Sequence, residues 1–303
     1  MTAIGELAPA KINLGLTLGP TREDGRHLLV TVMQPVALCD RLELSPAPLG
    51  SSGDLTVCPG VEGENLVDRA IAKFRELSGW RGAPVRIEIE KKIPVAAGMA
   101  GGSADAGAAL RLLSRVSAIS DPELLMEVAV SLGSDVPGQL QPRRYLASGA
   151  GETLRALPEA PPFGILVVPS ERELSTAEVF AEADRLGLPR GGGELESRQA
   201  EIVGALAAGA AFAPEELLSN DLEPASVSLA PELEWTLDEV RSAGARHAMV
   251  CGSGPTAIGL FDDLGGAQAA ALALSGRTPV PVAIEPWYPS AFSKRGPERG
   301  GGG

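Results

Sequence analysis

The sequence predicts a two-domain chain of class α+β, or α/β with mixed sheets, and three observations predict it. At 303 residues the chain is near the length at which one hydrophobic core stops growing and divides. Segments alternating apolar and polar residues, read as strands, interleave with segments of 3.6-residue periodicity, read as helices. Pro158, Pro161 and Pro162 punctuate the middle. The boundary is placed there, giving domains 1–157 and 158–290, with the Gly-rich 291–303 as a disordered tail.

The elements follow in order. Residues 4–18 read as a strand pair or one long bent strand, and 28–37 and 40–46 as further strands. The polar loop Arg22 to His27 separates the first from the second. Glu64-Asn65 opens a helix in which Val67, Ala70, Ile71, Phe74 and Leu77 share a face, and Gly79 closes it. Val85, Ile87 and Ile89 alternate with Arg86, Glu88 and Glu90 as a half-buried strand. Ala106, Ala109, Leu110 and Leu113 set a helix reaching about 117. Asp121-Pro122 supplies a cap and a first-turn proline for a helix to Leu132. In the second half, the run from Gly164 to Val168 is a buried strand. Helices at 176–186, 197–209 and 231–243 follow. Strands at 246–251, 256–262 and 279–285 enclose a helix at 265–275.

Composition narrows the function classes. The hydrophobic share of 44% and charged share of 21% are those of a globular protein. The net charge of -13, without a dense Lys/Arg run, argues against a nucleic-acid partner. Three scattered cysteines and two histidines argue against structural zinc and fit a reducing, cytoplasmic setting. No signal peptide or bilayer-spanning run is read, so no membrane partner is expected.

The most informative segment runs from Pro94 through Val95, Ala96, Ala97, Gly98, Met99, Ala100, Gly101, Gly102 and Ser103 to Ala104, between a strand and a helix. Glycines at a helix start leave backbone N–H groups pointing one way beside the positive end of the helix dipole, which suits phosphate. The segment matches neither common phosphate-loop pattern, and a Gly-rich turn can also exist only for backbone room.

Four further features carry candidate chemistry. Lys11 and Asn13 sit in Ala8-Pro9-Ala10-Lys11-Ile12-Asn13-Leu14, where a lone lysine either snorkels from a sheet edge or holds a cation near developing negative charge. Asp24-Gly25-Arg26-His27 is a turn whose histidine suits reading a nucleobase edge. Asp135, in Gly133-Ser134-Asp135-Val136-Pro137, is either a capping residue or a general base. Cys251-Gly252-Ser253-Gly254-Pro255 is either a hairpin-like turn or a second loop closing over phosphates.

In order and spacing these motifs resemble the GHMP kinases over residues 6 to about 285. The pairing of Ala-Lys-Ile-Asn-Leu with Asp-Gly-x-His points to the branch acting on a cytidylylated methylerythritol in non-mevalonate isoprenoid synthesis. The resemblance implies a two-domain GHMP kinase fold. Its N-terminal domain is like ribosomal protein S5 domain 2, and its C-terminal domain is ferredoxin-like. It implies ATP and Mg²⁺ as cofactors, a small-molecule substrate, and a monomer or weak homodimer. Carried over, Asp135 is the catalytic aspartate, Lys11 its cationic partner, and Pro94 to Ala104 the ATP loop. Ser103 is near the phosphates or the metal, Asn65 and Lys91 are near the nucleotide, and Asn13 belongs to the substrate side. His27 recognises cytosine, with Thr176 and Phe180 packing near the cytidine.

This chain departs from the family pattern at four places. Arg26 stands where a tyrosine stacks on cytosine, and its guanidinium is expected to take over the stack. Met99-Ala100 replaces Leu-Gly, which requires a negative φ at Ala100. Cys251 replaces a serine, and Pro142-Arg143 replaces Gly-Gly. The alternatives are another kinase of the family, of homoserine or mevalonate type, and a non-catalytic binding protein on the same scaffold.

Overall fold

The computed structural model describes residues 3–289 apart from 62 and 96. The tail predicted to be disordered, and Ala96 of the glycine loop, lie outside the described residues. The N-terminal sheet has six strands: β1 (Ile4–Thr21), β2 (His27–Pro46), β3 (Leu55–Val57), β4 (Val85–Glu90), β5 (Tyr145–Ser148) and β6 (Thr153–Ala156). Its order is β3-β4-β2-β5-β6, with β1 paired along β2. The expected strands at 28–37 and 40–46 are one strand. Pairing with β1 continues through the expected gap: Cys39 lies opposite Pro9, and Asp40 opposite Ala8 is fully buried.

Helices cover this sheet. In α1 (Leu66–Ser78), Asn65 accepts a hydrogen bond from the Val67 N–H, and Gly79 ends the helix at φ 68°. Val67, Ala70, Ile71 and Phe74 form its buried stripe, as the spacing predicts. Helix α2 (Gly101–Ser117) is buried from Ala104 through Leu110, because its Ala/Gly composition lets sheet and helices approach on every side. Asp121 caps α3 (Pro122–Leu132), and a single turn, α4 (Val136–Gln139), follows.

The C-terminal sheet contains β7 (Gly164–Val168), β8 (His247–Val250), β9 (Ala257–Phe261) and β10 (Val282–Ile284). Its order, β10-β7-β9-β8, is antiparallel throughout. The helices are α5 (Thr176–Leu186), α6 (Gly192–Leu206), α7 (Glu223–Leu229), α8 (Glu232–Ser242) and α9 (Leu264–Ala273). Strands β7, β8, β9 and β10, with helices between β7 and β8 and between β9 and β10, form the β-α-β-β-α-β order of a ferredoxin-like domain. The two-domain, mixed α and β expectation therefore holds. Sequence reading missed β3, β5, β6, α4, α7 and a short 3-10 turn at Glu215–Leu217, and placed the start of α6 too late. All except α7 are four residues or shorter, too short for periodicity to register.

Segment 219–222 ties the domains together. The Leu16 N–H donates to the Ser219 carbonyl at 2.9 Å, and the Asp221 N–H to the Leu16 carbonyl at 2.9 Å. Arg190 grips both oxygens of Asp221 at 2.6 and 2.7 Å, and the Leu18 N–H donates to the same carboxylate.

Candidate active site

The first glycine turn links β4 to α2. Ala100, the residue before α2, lies at φ 54°, ψ 37° in the left-handed region, so the expectation of a negative φ is overturned. An alanine there costs about 1–2 kcal/mol relative to ordinary helical backbone. The turn is held from outside. The Lys11 N–H donates to the Met99 carbonyl at 3.1 Å, and Lys11 Nζ to the Gly98 carbonyl at 3.2 Å. The opening N–H groups of α2 have no carbonyl of a preceding turn to bond, so they offer an anion partial positive charge.

Lys11 owes its direction to a break in β1–β2 pairing. The register shifts between Pro9 and Lys11, and such an irregularity re-aims the side chain that follows. The Lys11 side chain is buried, donates to Asn13 Oδ1 at 2.8 Å, and lies 3.7 Å from Asp135 Oδ2. Asn13 Nδ2 donates to Thr31 Oγ1 at 2.9 Å, whose hydroxyl donates to the Gly15 carbonyl at 2.6 Å. The lysine is therefore a partnered internal cation rather than a snorkelling one.

Asp135 sits at the head of α4 without a capping bond from its side chain, so its carboxylate, one-third exposed, remains available. What fixes α4 is close packing on α2. A Cβ on Gly107 would stand 2.7 Å from the Gln139 carbonyl oxygen, and the Arg111 guanidinium donates to that same oxygen.

Lys91 lines the cavity, but its ammonium is already partnered. It donates to Asp40 Oδ2 at 2.5 Å and Asp105 Oδ2 at 2.8 Å. Burial pulls its pKa down, yet Asp105 and Asp40 outweigh that and leave it raised. Burial pushes Asp105 up to about 7, with Asp40 adding to the effect and Lys91 opposing it. Asp40 also accepts the Lys92 and Ile93 N–H groups, fixing the chain as it leaves β4.

At the other end, Phe180 and Thr176 of α5 line the cavity. Thr176 Oγ1 lies 3.1 Å from Ser253 Oγ in the second glycine turn. His27 is buried against Phe180, with ring centroids 5.2 Å apart. Arg26 does not take the expected stacking place. Its guanidinium is captured by Asp24 two residues away, at 3.0 and 3.1 Å, and it is exposed.

Lys11, Asn13, Asp135, Lys91, Thr176, Phe180 and the two glycine turns line one cavity of about 560 Å³ between the domains. Arg26, His27, Ser103 and Ala104 are not on its wall, whereas the other predicted site residues that are described are. Ser103 is off the wall because a helix turns about 100° per residue, so Gly101, Gly102 and Asp105 share the cavity face and Ser103 does not. Two contributors were missed. Asp105 carried a usable signal, a carboxylate inside an Ala-rich face. Asn220, whose Nδ2 donates to the Val250 and Gly252 carbonyls at 2.8 and 2.7 Å, braces the second glycine turn and carried none.

A magnesium ion takes oxygen ligands and keeps several waters, so one or two carboxylates plus nucleotide phosphates can hold it. The Asp135 carboxylate, which caps no N–H and is one-third exposed beside Lys11, fits that requirement. Among the described residues no cluster of three or more His, Cys, Asp or Glu suits a protein-only metal cage.

The GHMP kinases N terminal domain matches residues 65–141, and the GHMP kinases C terminal domain matches 194–279. A 4-diphosphocytidyl-2-C-methyl-D-erythritol kinase from Nocardioides sp. is 41% identical over 89% of this chain and 92% of its own length. The enzyme of the same name from Anaeromyxobacter dehalogenans is 41% identical over 89% of this chain and 85% of its own. The crystal structure of a 4-(cytidine 5'-diphospho)-2C-methyl-D-erythritol kinase superposes with a TM-score of 0.76 at 35% identity, covering 94% of this chain and 100% of that one. Homoserine kinase from Cytophaga hutchinsonii shares the fold, with a TM-score of 0.68 at 18% identity over 95% of both chains.

Proposed function

The chain belongs to the GHMP kinases, and on that premise we propose that it is a 4-diphosphocytidyl-2-C-methyl-D-erythritol kinase, transferring the γ-phosphoryl group of ATP to the 2-hydroxyl of its substrate. The observation that carries the reading is the Lys11–Asp135 pair, 3.7 Å apart, on the wall of the cavity that the first glycine turn also lines. Phosphoryl transfer needs charge neutralisation on the γ-phosphate and an aligned hydroxyl, with little covalent work by the protein.

The amides of the turn from Gly98 to Gly102 and the start of α2 bind the phosphates. Asp135 accepts the proton of the 2-hydroxyl as its oxygen bonds to phosphorus and ADP departs. Lys11 offsets the negative charge gathered between carboxylate and phosphate. Asp135 would hold Mg²⁺ together with the phosphates, and the ion supplies neutralisation of charge on the transferring group. Asn65 and Lys91 border the nucleotide. Asn13 orients Lys11, and Thr176 and Phe180 border the cytidine end, with His27 packed behind Phe180.

The test is ADP release coupled to a reporter, with the cytidylylated methylerythritol, homoserine and mevalonate offered separately. Turnover of the first and formation of its 2-phosphate are expected. Turnover of homoserine or mevalonate alone overturns the assignment.

A further inference from the structure

Strand β8 is an edge of the C-terminal sheet, so one side of it has no neighbouring strand. Side chains of a single segment cover the backbone of Val250 there. Asn220 Nδ2 donates to the Val250 carbonyl at 2.8 Å, and Glu223 Oε2 accepts the Val250 N–H at 2.8 Å. The second hydrogen of Asn220 Nδ2 goes to the Gly252 carbonyl at 2.7 Å, while Asn220 Oδ1 accepts the Leu222 N–H at 3.0 Å. Both donors of this buried amide therefore hold the second glycine turn, and its acceptor fixes which way the amide faces. The same segment is fastened to β1, where Asn220 forms a parallel bridge with Leu16, three residues beyond Asn13. Asn220 thus stands between the strand that carries Lys11 and Asn13 and the turn that faces them. The approach of that turn is close. Gly252 has φ 58°, and a Cβ on it would stand 3.1 Å from Asn13 Oδ1 and 3.8 Å from Lys11 Nζ. Asn13 Oδ1 is the acceptor that Lys11 Nζ uses.

We infer that Asn220 is a positioning residue for phosphoryl transfer: by holding the Val250 and Gly252 carbonyls it keeps the second glycine turn against Asn13, and so keeps Lys11 Nζ directed at Asp135. The inference rests on the kinase reading of the Lys11–Asp135 pair and deepens it. Asn220 is not on the wall of the cavity, so its effect passes through Gly252 and Asn13. Without its two donors the carbonyls lose their partner and the turn is free to withdraw. Asn13 then loses the backbone that confines its amide, and the ammonium that Asn13 orients loses its direction. A displacement of about 1 Å at a reacting centre can cost roughly 10²-fold in rate. The first glycine turn keeps its own bond from the Lys11 N–H to the Met99 carbonyl, so nucleotide binding is spared.

The test is a double-mutant cycle in steady-state kinetics with ATP and the cytidylylated methylerythritol, using Asn220→Ala, Asn13→Ala and the double variant. Each single variant should lower kcat about tenfold or more, with the KM for ATP within about threefold of the wild type. Because both changes act on one relay, the double variant should lie within about threefold of the slower single one. Losses that multiply to about a hundredfold show two independent effects and overturn the inference. So does a kcat within about threefold of the wild type in either single variant, or a loss confined to KM. Asn220→Asp guards against an alanine variant that folds poorly. It keeps the shape and the acceptor for the Leu222 N–H but replaces the donors with a carboxylate oxygen, and it must show the same kcat loss and the same non-additivity with Asn13→Ala, with thermal melts as the check on folding. A wild type that turns over the substrate while the cycle is additive sinks the role of Asn220 alone. A wild type that does not turn it over sinks the kinase assignment together with it.

Discussion

A Cβ on Gly98 would stand 2.5 Å from the carbonyl oxygen of Cys251 and 3.0 Å from that of Gly254. The two glycine turns, one from each domain, thus meet backbone against backbone. The Gly98 carbonyl also receives Lys11 Nζ and the Cys251 thiol. Gly98 has φ 71°, so two separate demands fall on this residue, conformation and clearance.

Gly98→Ala should fail both demands. The turns must part, and the turn meant for phosphate loses its shape. The expected outcome is at least a tenfold rise in the KM for ATP together with a lower unfolding temperature. An unchanged KM for ATP would show that the contact does not shape the nucleotide site.

Asp135→Asn should remove the proton acceptor without disturbing the fold, because the side chain is one-third exposed and makes no capping bond. Loss of general-base assistance costs roughly 10²–10⁴-fold in kcat. Steady-state kinetics and a thermal melt together decide the matter. A full kcat in a folded variant removes Asp135 from the chemistry.

Ala100→Gly should stabilise the protein. Relief of the left-handed alanine gains about 1–2 kcal/mol. The greater freedom of glycine in the unfolded chain takes back roughly half of that. A net gain of about 0.5–1 kcal/mol in denaturant unfolding is expected. A loss would mean that the Ala100 methyl makes a contact worth more than the strain.

Asp105 predicts a pH signature. Its folded pKa is raised to about 7, chiefly by burial. A carboxyl raised on folding adds stability that is complete below its unfolded value of about 3.9 and is lost as pH climbs through the folded value. The loss therefore falls between about pH 4 and 7. Asp105→Asn has no proton to lose there. From pH 5 to pH 8 the urea midpoint of the wild type should drop further than that of the variant. Parallel drops would locate the titration elsewhere.

The legible part of the site lay in local patterns. Lys11, Asn13 and Asp135, and the turn from Pro94 to Gly102 apart from Ala96, announced themselves by residue type and neighbours. So did the cap at Asn65 and the stripe of α1, because helix and turn signals act within a few residues. Arg26 shows the limit of that reasoning. Its residue type suits stacking, but a carboxylate two residues away competes for the guanidinium and wins. Ser103 shows another limit: motif position placed it near phosphate, and the rotation of α2 turned it off the cavity wall. Asn220 was illegible because its partners are backbone carbonyls 30 and 32 residues away, which no side-chain pattern records.

By itself, then, the sequence determined the α+β class, most of the alternation of elements and a set of candidate groups whose chemistry suits phosphoryl transfer. Those depend on periodicity and side-chain chemistry, which are properties of short stretches of chain. The tertiary structure alone decided that Lys11 meets the Gly98 carbonyl across 87 residues, that Ala100 accepts a left-handed backbone, that Lys91 is held between two buried acids, and that Asp184 faces His27. The physical reason is range. Hydrogen bonds and packing contacts act over a few ångströms, so their consequences exist only once distant segments have been brought within that reach.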